Sequence, residues 1–289
     1  MSNALKGVLL VGGATLFWSL SGVFIRYVPE IDPWTLNAWR GLSTALSLLV
    51  WMVLLHGREV TGHFRRAAPL ALVATACFFG IGSSLYIAAM QLASVAAVSC
   101  VAATSPLFAA VLARLWLKER TGLKVFIAII AALAGVAIVA LGEAGASLTG
   151  LSGALIAVIV ALCFAGQSVT LRRYHDVAME PALIIGGFGI FLVVLLVIGL
   201  QPIDGRSLAV IGLMGVFQLA LPLVLFMRGA RYVPAVQMVL ISLADAILNP
   251  LWVFLVHGEV PAGSVYLGGA IILGAIAVAT WPRRPVALA

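Results

Sequence analysis

Long apolar runs follow one another along the whole chain, and they constrain its fold more than any other feature. An α-helix needs about 20 apolar residues to cross the hydrocarbon core of a bilayer, because it rises about 1.5 Å per residue. Ten segments meet this length, at residues 7–26, 34–55, 69–89, 95–117, 122–141, 150–172, 180–200, 207–228, 234–256 and 263–281. The chain is 63% hydrophobic and only 9% charged, which is too little polar surface for a water-soluble globule. We therefore predict an all-α integral membrane protein with ten transmembrane helices.

The basic residues between these spans are distributed unevenly. If the N-terminus is cytoplasmic, the inner side receives Lys6, Arg58, Arg65, Arg66, Arg114, Lys118, Arg120, Lys124, Arg172, Arg173, Arg228, Arg231, Arg283 and Arg284. The outer side receives only Arg26, Arg40 and Arg206. Because cytoplasmic loops are enriched in Lys and Arg, both termini are predicted to be cytoplasmic. The net charge of +7 has the same origin, so the membrane lipid is the expected partner and nucleic acid is not.

The two halves of the sequence are weakly similar. A shift of 140 residues places Glu119 on Glu259, and a shift of 146 residues places Arg26 on Arg172. Two five-helix repeats are thus predicted, at residues 1–145 and 146–289. Because five is an odd number, the second repeat enters the membrane from the opposite side. Such inverted-topology repeats recur in secondary transporters, whose substrate sites lie near the midplane between the repeats.

Three short motifs carry a resemblance to a known family. They are "NAWRGLSTALSLL" in the second span, "LARLWLKER" after the fourth and "LNPLWVFLVHGE" after the ninth. Together with ten helices in two inverted halves, these motifs resemble the EamA-type branch of the drug/metabolite transporter superfamily. Within that branch the chain is most similar to bacterial aromatic amino-acid exporters of the YddG type. The resemblance implies export of amino acids or similar small metabolites across the bacterial inner membrane by alternating access, without a cofactor.

Asp245 is the only acidic residue that falls deep within a predicted span. A charged side chain at a helix centre costs roughly 2.5–3.5 kcal/mol on insertion scales, and it usually faces the bundle interior or a watery cavity. Two interpretations remain open. Asp245 could be a structural group, hydrogen-bonded to neighbours such as Asn249. Alternatively, it could line a cavity, where it would contact a substrate ammonium or take up a proton.

Aromatic and polar side chains at similar depth, or nearer the span ends, are the usual lining of a small-molecule pocket. The predicted cavity-lining residues are Trp18, Ser21, Phe79, Ser83, Tyr86, Ser99, Thr104, Ser105, Phe164, Gln167, Gln218, Gln237, Asp245 and Asn249. The fifth and tenth spans consist almost entirely of Ala, Ile, Val, Leu and Gly. They are predicted to lie at the periphery, where they could form a homodimer contact.

Three further residues have two interpretations each. Arg40 lies about two turns into the second span from the outer side. Its long stem could snorkel to the headgroups, or its guanidinium could meet a substrate carboxylate at the cavity mouth. Pro106 and Pro250 interrupt backbone hydrogen bonding in the fourth and ninth spans, one in each half. The predicted kinks could be gating hinges or could only shape the bundle.

Constellations typical of enzymes are absent from the sequence. The four histidines lie in loops or at span ends, and no H-E-x-x-H motif or second deep carboxylate is present. The three cysteines lie in apolar runs at unrelated spacings, which argues against a metal site. We therefore predict a transporter of small molecules and not an enzyme. Lipophilic cations or other drugs are the alternative substrates, because an aromatic cavity with one carboxylate would also suit them. A channel is harder to exclude than an enzyme, because sequence does not reveal whether both gates open together.

Overall fold

A computed structural model describes residues 3–57, 69–116, 123–174, 180–229 and 244–280, together with residues 60, 62, 64, 232, 241 and 242. Throughout these residues the regular structure is helical. The α-helices are α1 (Asn3–Trp18), α2 (Ser21–Arg26), α3 (Pro33–His56), α4 (Pro69–Leu92), α5 (Val95–Ala102), α6 (Ser105–Trp116), α7 (Leu123–Ala146), α8 (Leu148–Arg173), α9 (Glu180–Val193), α10 (Gly205–Leu213), α11 (Leu221–Gly229), α12 (Asp245–His257) and α13 (Gly263–Thr280). Two π-helical segments continue α9 and join α10 to α11, namely π1 (Val194–Ile198) and π2 (Met214–Ala220).

Seven helical stretches are long and apolar enough to cross a membrane. They are Leu5–Arg26, Pro33–His56, Pro69–Leu92, Val95–Trp116, Leu148–Thr170, Glu180–Ile198 and Gly205–Gly229. Shorter apolar helices lie where the fifth, ninth and tenth spans are predicted, at Phe126–Gly142, Asp245–His257 and Gly263–Ala275. The prediction of a helical, multi-pass membrane protein is confirmed. The count of ten spans and their arrangement as inverted repeats stay predictions.

Three of the spans are interrupted or begin near the level of the predicted site. A two-residue turn separates α1 from α2 in the first span, and another separates α5 from α6 in the fourth. In the ninth span, α12 begins at Asp245 directly after a turn at Ala244. Ser105 and Asp245, the first residues of α6 and α12, are 140 positions apart (245 − 105), which equals one offset of the sequence repeat. Interrupted helices at this depth are where secondary transporters bind substrate and ions.

The two prolines have different positions in these helices. Pro106 is the second residue of α6, so the interruption of the fourth span precedes it. Proline fits the first turn of a helix because its missing N–H has no intrahelical partner there. Pro250 lies inside α12, where it removes one backbone hydrogen bond. Whether either proline acts as a hinge stays a prediction.

The fifth and tenth spans pack closely against each other through α7 and α13. A Cβ atom on Gly268 would lie 2.6 Å from the carbonyl oxygen of Gly135, so the two backbones are in direct contact. Small residues allow this close approach in membranes, where packing rather than the hydrophobic effect holds helices together. The outward faces carry exposed side chains such as Phe126 and Tyr266. A homodimer contact on these faces stays a prediction.

Candidate functional site

Asn249 of α12 joins three other spans in the interior of the bundle. Its side-chain nitrogen lies 2.9 Å from the hydroxyl of Ser21, 3.2 Å from that of Tyr86 and 3.1 Å from that of Ser99. Its side-chain oxygen accepts a hydrogen bond of 3.1 Å from the backbone N–H of Gly22. The hydroxyls of Ser21 and Tyr86 are themselves 2.8 Å apart. We call Ser21, Tyr86, Ser99 and Asn249 the polar hub, which connects α2, α4, α5 and α12.

Arg40 of α3 is buried, with only 2% of the residue exposed. Its guanidinium donates to the side-chain oxygen of Asn37 at 2.8 Å and to that of Gln218 at 3.3 Å. It also donates to the hydroxyl of Ser83 and to the Ser83 carbonyl at 3.4 Å. Because this side chain ends among interior groups, the snorkelling interpretation of Arg40 is wrong. The carboxylate contact stays a prediction.

Every hydrogen-bond acceptor that the structure gives Arg40 is neutral. The Nε atom of Arg40 is buried and makes no hydrogen bond to the described part of the chain. A buried charge usually has an opposite charge as its partner, because leaving it in a low dielectric without one is expensive. The guanidinium is therefore a group that an anion would stabilise.

Asp245 carries the opposite charge and lies one helical turn before Asn249. Its Oδ1 atom is also buried and without a hydrogen bond to any residue that the structure describes. The structural interpretation named Asn249 as its partner, but the amide of Asn249 is engaged by the other members of the polar hub and by Gly22. An ammonium group would supply what the Oδ1 atom lacks.

Tyr86 is connected to the surroundings of both charges. It follows Ser83, which accepts a hydrogen bond from Arg40, by three residues on α4. Its hydroxyl lies 2.8 Å from that of Ser21 and 3.2 Å from the side-chain nitrogen of Asn249, one helical turn after Asp245. The polar hub thus adjoins both the Arg40 cluster and the helical turn that carries Asp245. This arrangement is complementary to a molecule that carries both a carboxylate and an ammonium group.

Gln218 lies in π2 and links the Arg40 cluster to the interruption of the first span. It accepts from Arg40 and donates to the carbonyl of Trp18 at 3.4 Å. On the other side of the interruption, the N–H of Gly22 donates to Asn249. Side chains of the eighth and ninth spans therefore satisfy backbone groups at the break. Short π-helical segments of this kind are frequent at functional sites.

Two aromatic pairs adjoin this region. The rings of Trp18 and Phe226 have centroids 5.1 Å apart, and those of Tyr86 and Phe164 are 6.4 Å apart. Both distances are within the range of favourable ring contacts. Among the predicted residues, Trp18 and Phe164 thus lie near the polar groups described above. Sequence analysis did not single out Phe226.

The other predicted residues lie elsewhere or remain apart from the polar hub. Phe79 is buried in a hydrophobic cluster and faces Gly186 of α9. Thr104 donates to the carbonyl of Val101 at 2.7 Å and lines a small apolar crevice between α6 and α7. Ser105 and Gln167 are half-buried. Gln237 lies outside the described residues.

Besides Phe226, two contributors to the site were missed by sequence analysis. The side-chain oxygen of Asn37 accepts hydrogen bonds from both Arg40 and Ser83. Gly22 donates its backbone N–H to the side-chain oxygen of Asn249. The spacing of Asn37 and Arg40, three residues apart on one helix, places them on the same face and could have identified the first. Nothing in the sequence around Gly22 distinguishes it from the many glycines in the other spans.

The N-terminal part of the chain matches a known family. Residues 5–141 match the EamA-like transporter family. Members of that family are transporters and not enzymes, so transport of a small molecule is the function that the EamA match supports. Among the described residues, no group of three or more His, Cys, Asp or Glu side chains could hold a metal ion.

Solved structures show that the fold extends beyond the EamA match. Fifteen chains of solved structures match this one. One of them, described only as "Crystal structure of protein", has a TM-score of 0.70 and 20% sequence identity, and the alignment covers 96% of this chain and 97% of that chain. At this identity the similarity concerns the fold alone. No curated protein matches the sequence.

Proposed function

We propose that the whole chain is an EamA-type secondary transporter that exports amino acids, with aromatic or other neutral side chains, by alternating access. The resemblance to YddG-type exporters supports this substrate class. The bacterial inner membrane, cytoplasmic termini and a homodimer through the fifth and tenth spans are parts of the same proposal. The single observation that carries it is the pair of opposite charges, Arg40 and Asp245, each with a buried atom that makes no hydrogen bond to the described part of the chain.

An amino-acid zwitterion would satisfy both charges at once. Its carboxylate would neutralise Arg40 and its ammonium would neutralise Asp245, because the Nε atom of the first and the Oδ1 atom of the second have no hydrogen-bond partner among the described residues. Charge-assisted hydrogen bonds of this kind are roughly twice as strong as neutral ones. The substrate's main-chain groups would then be recognised at fixed positions, which leaves the side chain to be accommodated separately.

The aromatic pairs support a pocket for an apolar side chain. Trp18 and Phe226 on one side, and Phe164 beside Tyr86 on the other, offer rings against which such a side chain can pack. Residues at these positions discriminate by size and apolar area and do not form hydrogen bonds to the side chain. A pocket of this kind would favour aromatic and other neutral amino acids.

Burial of Arg40 argues against lipophilic cations as the main substrates. A cation would be attracted to Asp245 but repelled by the guanidinium, whose hydrogen-bond acceptors in the described part of the chain are neutral. Like charges brought together in a low dielectric cost several kcal/mol. A drug exporter specific for cations would gain nothing from an uncompensated arginine at this depth.

Counterflow in proteoliposomes tests the proposed function. Saturable exchange of phenylalanine or leucine, measured with and without an imposed proton gradient, is the expected result. The control substrates are tetraphenylphosphonium, a lipophilic cation, and glutamate, an amino acid with an additional charge. Preferential exchange of the cation would favour the alternative function. Non-saturable flux without counterflow would instead identify a channel, because only a carrier exchanges one substrate molecule for another.

A further inference from the structure

Arg26, the last residue of α2, is linked to three other spans, either directly or through Glu259. Its Nε atom donates to one carboxylate oxygen of Glu259 at 2.8 Å, and its Nη2 atom donates to the other at 3.3 Å. The same guanidinium donates to the carbonyl of Met90 at 2.7 Å and to that of Ala93 at 3.4 Å. Glu259 in turn accepts from the backbone N–H of Val95 at 3.1 Å. One ion pair thus ties together the first, third, fourth and ninth spans.

Further contacts join the first and ninth spans at this end. A ring nitrogen of His257 lies 3.2 Å from the carbonyl oxygen of Val23, and the rings of His257 and Tyr27 pack edge to face with centroids 4.9 Å apart. Val253, one helical turn before His257, is only 1% exposed. Its side chain lies so close to Gly22 that a Cβ atom there would be 2.7 Å away. Gly22 and Val253, which lie between this ion pair and the polar hub in sequence, are therefore in close contact.

The same four spans hold the polar hub, so the ion pair lies on the path between the site and one membrane face. Arg26 follows Ser21 by five residues (26 − 21), which is about 7.5 Å along a helix. His257 follows Asn249 by eight residues (257 − 249), or about 12 Å. In the topology predicted from the basic loops, this face is the outer one.

We propose that Arg26 and Glu259 form a latch that closes the outer end of the substrate path, and that the four spans separate there when the transporter opens outward. The proposal rests on the transport function proposed above. The two side chains are 25% and 27% exposed, so water can replace their hydrogen bonds when they part. A partly exposed pair of this kind is weak enough to open, whereas separation of a fully buried pair would strand two charges.

Labelling of a buried cysteine tests the latch without a substrate. The reporter is Val253→Cys in a variant whose native cysteines, Cys77, Cys100 and Cys163, are replaced by alanine. The protein is held in nanodiscs, where a charged maleimide reaches both faces. Arg26→Gln and Glu259→Gln should each raise the labelling rate about fivefold, as expected when one partner of such an ion pair is lost. Glu259→Gln can still accept from Val95, so it removes mainly the charge.

Arg206→Gln is the matched control, because Arg206 is an exposed arginine at the same end of the bundle. It should leave the labelling rate of Val253→Cys unchanged. Equal labelling rates in all variants, with each protein folded by gel filtration in detergent, would overturn the proposal. An equal increase in the Arg206→Gln control would do the same, because it would indicate a general effect of charge.

Cross-linking tests whether the spans must separate. In the double variant Arg26→Cys, Glu259→Cys, a short cleavable bis-maleimide should abolish counterflow, and cleavage of the reagent should restore it. A long flexible reagent should permit transport, because it does not prevent opening. Undiminished counterflow after complete reaction with the short reagent would contradict the latch. Absence of counterflow from the wild-type protein would instead contradict the proposed function, while the labelling result would still stand.

Discussion

Ser21 and Asn249 are 228 residues apart in the sequence, yet the hydroxyl of one and the side-chain amide of the other are 2.9 Å apart. This hydrogen bond joins the interrupted first span to the ninth span, one from each half of the chain. The side-chain amide of Asn249 also forms hydrogen bonds with Tyr86, Ser99 and Gly22. A single buried side chain therefore holds four spans in register around the candidate site.

Replacement of Asn249 by alanine should destabilise the fold. The variant leaves the buried N–H of Gly22 without its partner, and each buried polar group left unsatisfied costs about 1–3 kcal/mol. We expect a loss of about 2 kcal/mol or more in the free energy of unfolding, measured by thermal unfolding in detergent. Ser152→Ala is the control, because Ser152 is exposed and its hydroxyl donates to the carbonyl of Thr149 in its own helix. Equal melting temperatures for both variants would contradict this account of the polar hub.

Gly22→Ala should have a comparable effect for a steric reason. A Cβ atom at position 22 would lie 2.6 Å from Val95, 2.7 Å from Val253 and 2.8 Å from the side-chain oxygen of Asn249. These contacts would push the first and ninth spans apart, at a cost of about 1–3 kcal/mol. Gly212→Ala has open space around it and should be neutral or stabilising, because alanine favours a helix. If Gly22→Ala were as stable as Gly212→Ala, the first and ninth spans would not be closely packed at Gly22.

The helices were predictable because the length of an apolar run can be read directly from the sequence. The seven long stretches and three shorter apolar helices all lie at the ten predicted positions. The turn between Trp18 and Ser21 was not predictable, because no proline marks it. Its backbone groups are held by Gln218 and Asn249, which come from distant parts of the chain.

The candidate site was predictable in composition but not in arrangement. Asp245 and the aromatic residues were identified from their depth along each span. Depth alone could not show that Arg40 turns inward, because this depends on Asn37, Ser83 and Gln218 from three different spans. Depth also placed Phe79 near the site, although its ring packs against α9. The direction in which a side chain faces depends on tertiary contacts. The position of a residue along its span does not reveal them.

Membrane topology can be tested by cysteine labelling in whole cells. In a variant without native cysteines, Ser2→Cys and Ala287→Cys should be protected from an impermeant maleimide, because both termini are predicted to be cytoplasmic. Ala144→Cys, near the outer end of the fifth span, should react. Labelling of both termini from outside would contradict the assignment and would also place the Arg26–Glu259 latch on the inner side.

Aromatic residues near the polar hub should determine side-chain selectivity. Trp18→Ala and Phe164→Ala should weaken phenylalanine exchange more than threonine exchange, because they remove apolar surface that a large side chain would contact. We expect the half-saturation concentration for phenylalanine to rise about tenfold and that for threonine to change little. Phe79→Ala is the control, because its ring packs on α9 instead. Equal losses for the two substrates would indicate a structural role for these rings.

The central claim is that Arg40 binds the carboxylate and Asp245 the ammonium of one substrate molecule. Counterflow of labelled phenylalanine, in competition with phenylalaninamide or 3-phenylpropanoate, tests it most directly, because each analogue lacks one of the two charges. In the wild-type protein phenylalanine should bind about 30-fold better than either analogue, since an unpaired buried charge costs about 2 kcal/mol or more. Arg40→Gln should abolish only the discrimination against the amide, and Asp245→Asn only that against the propanoate. Near-normal phenylalanine exchange by a folded Asp245→Asn protein, or loss of both discriminations in each variant, would contradict the account.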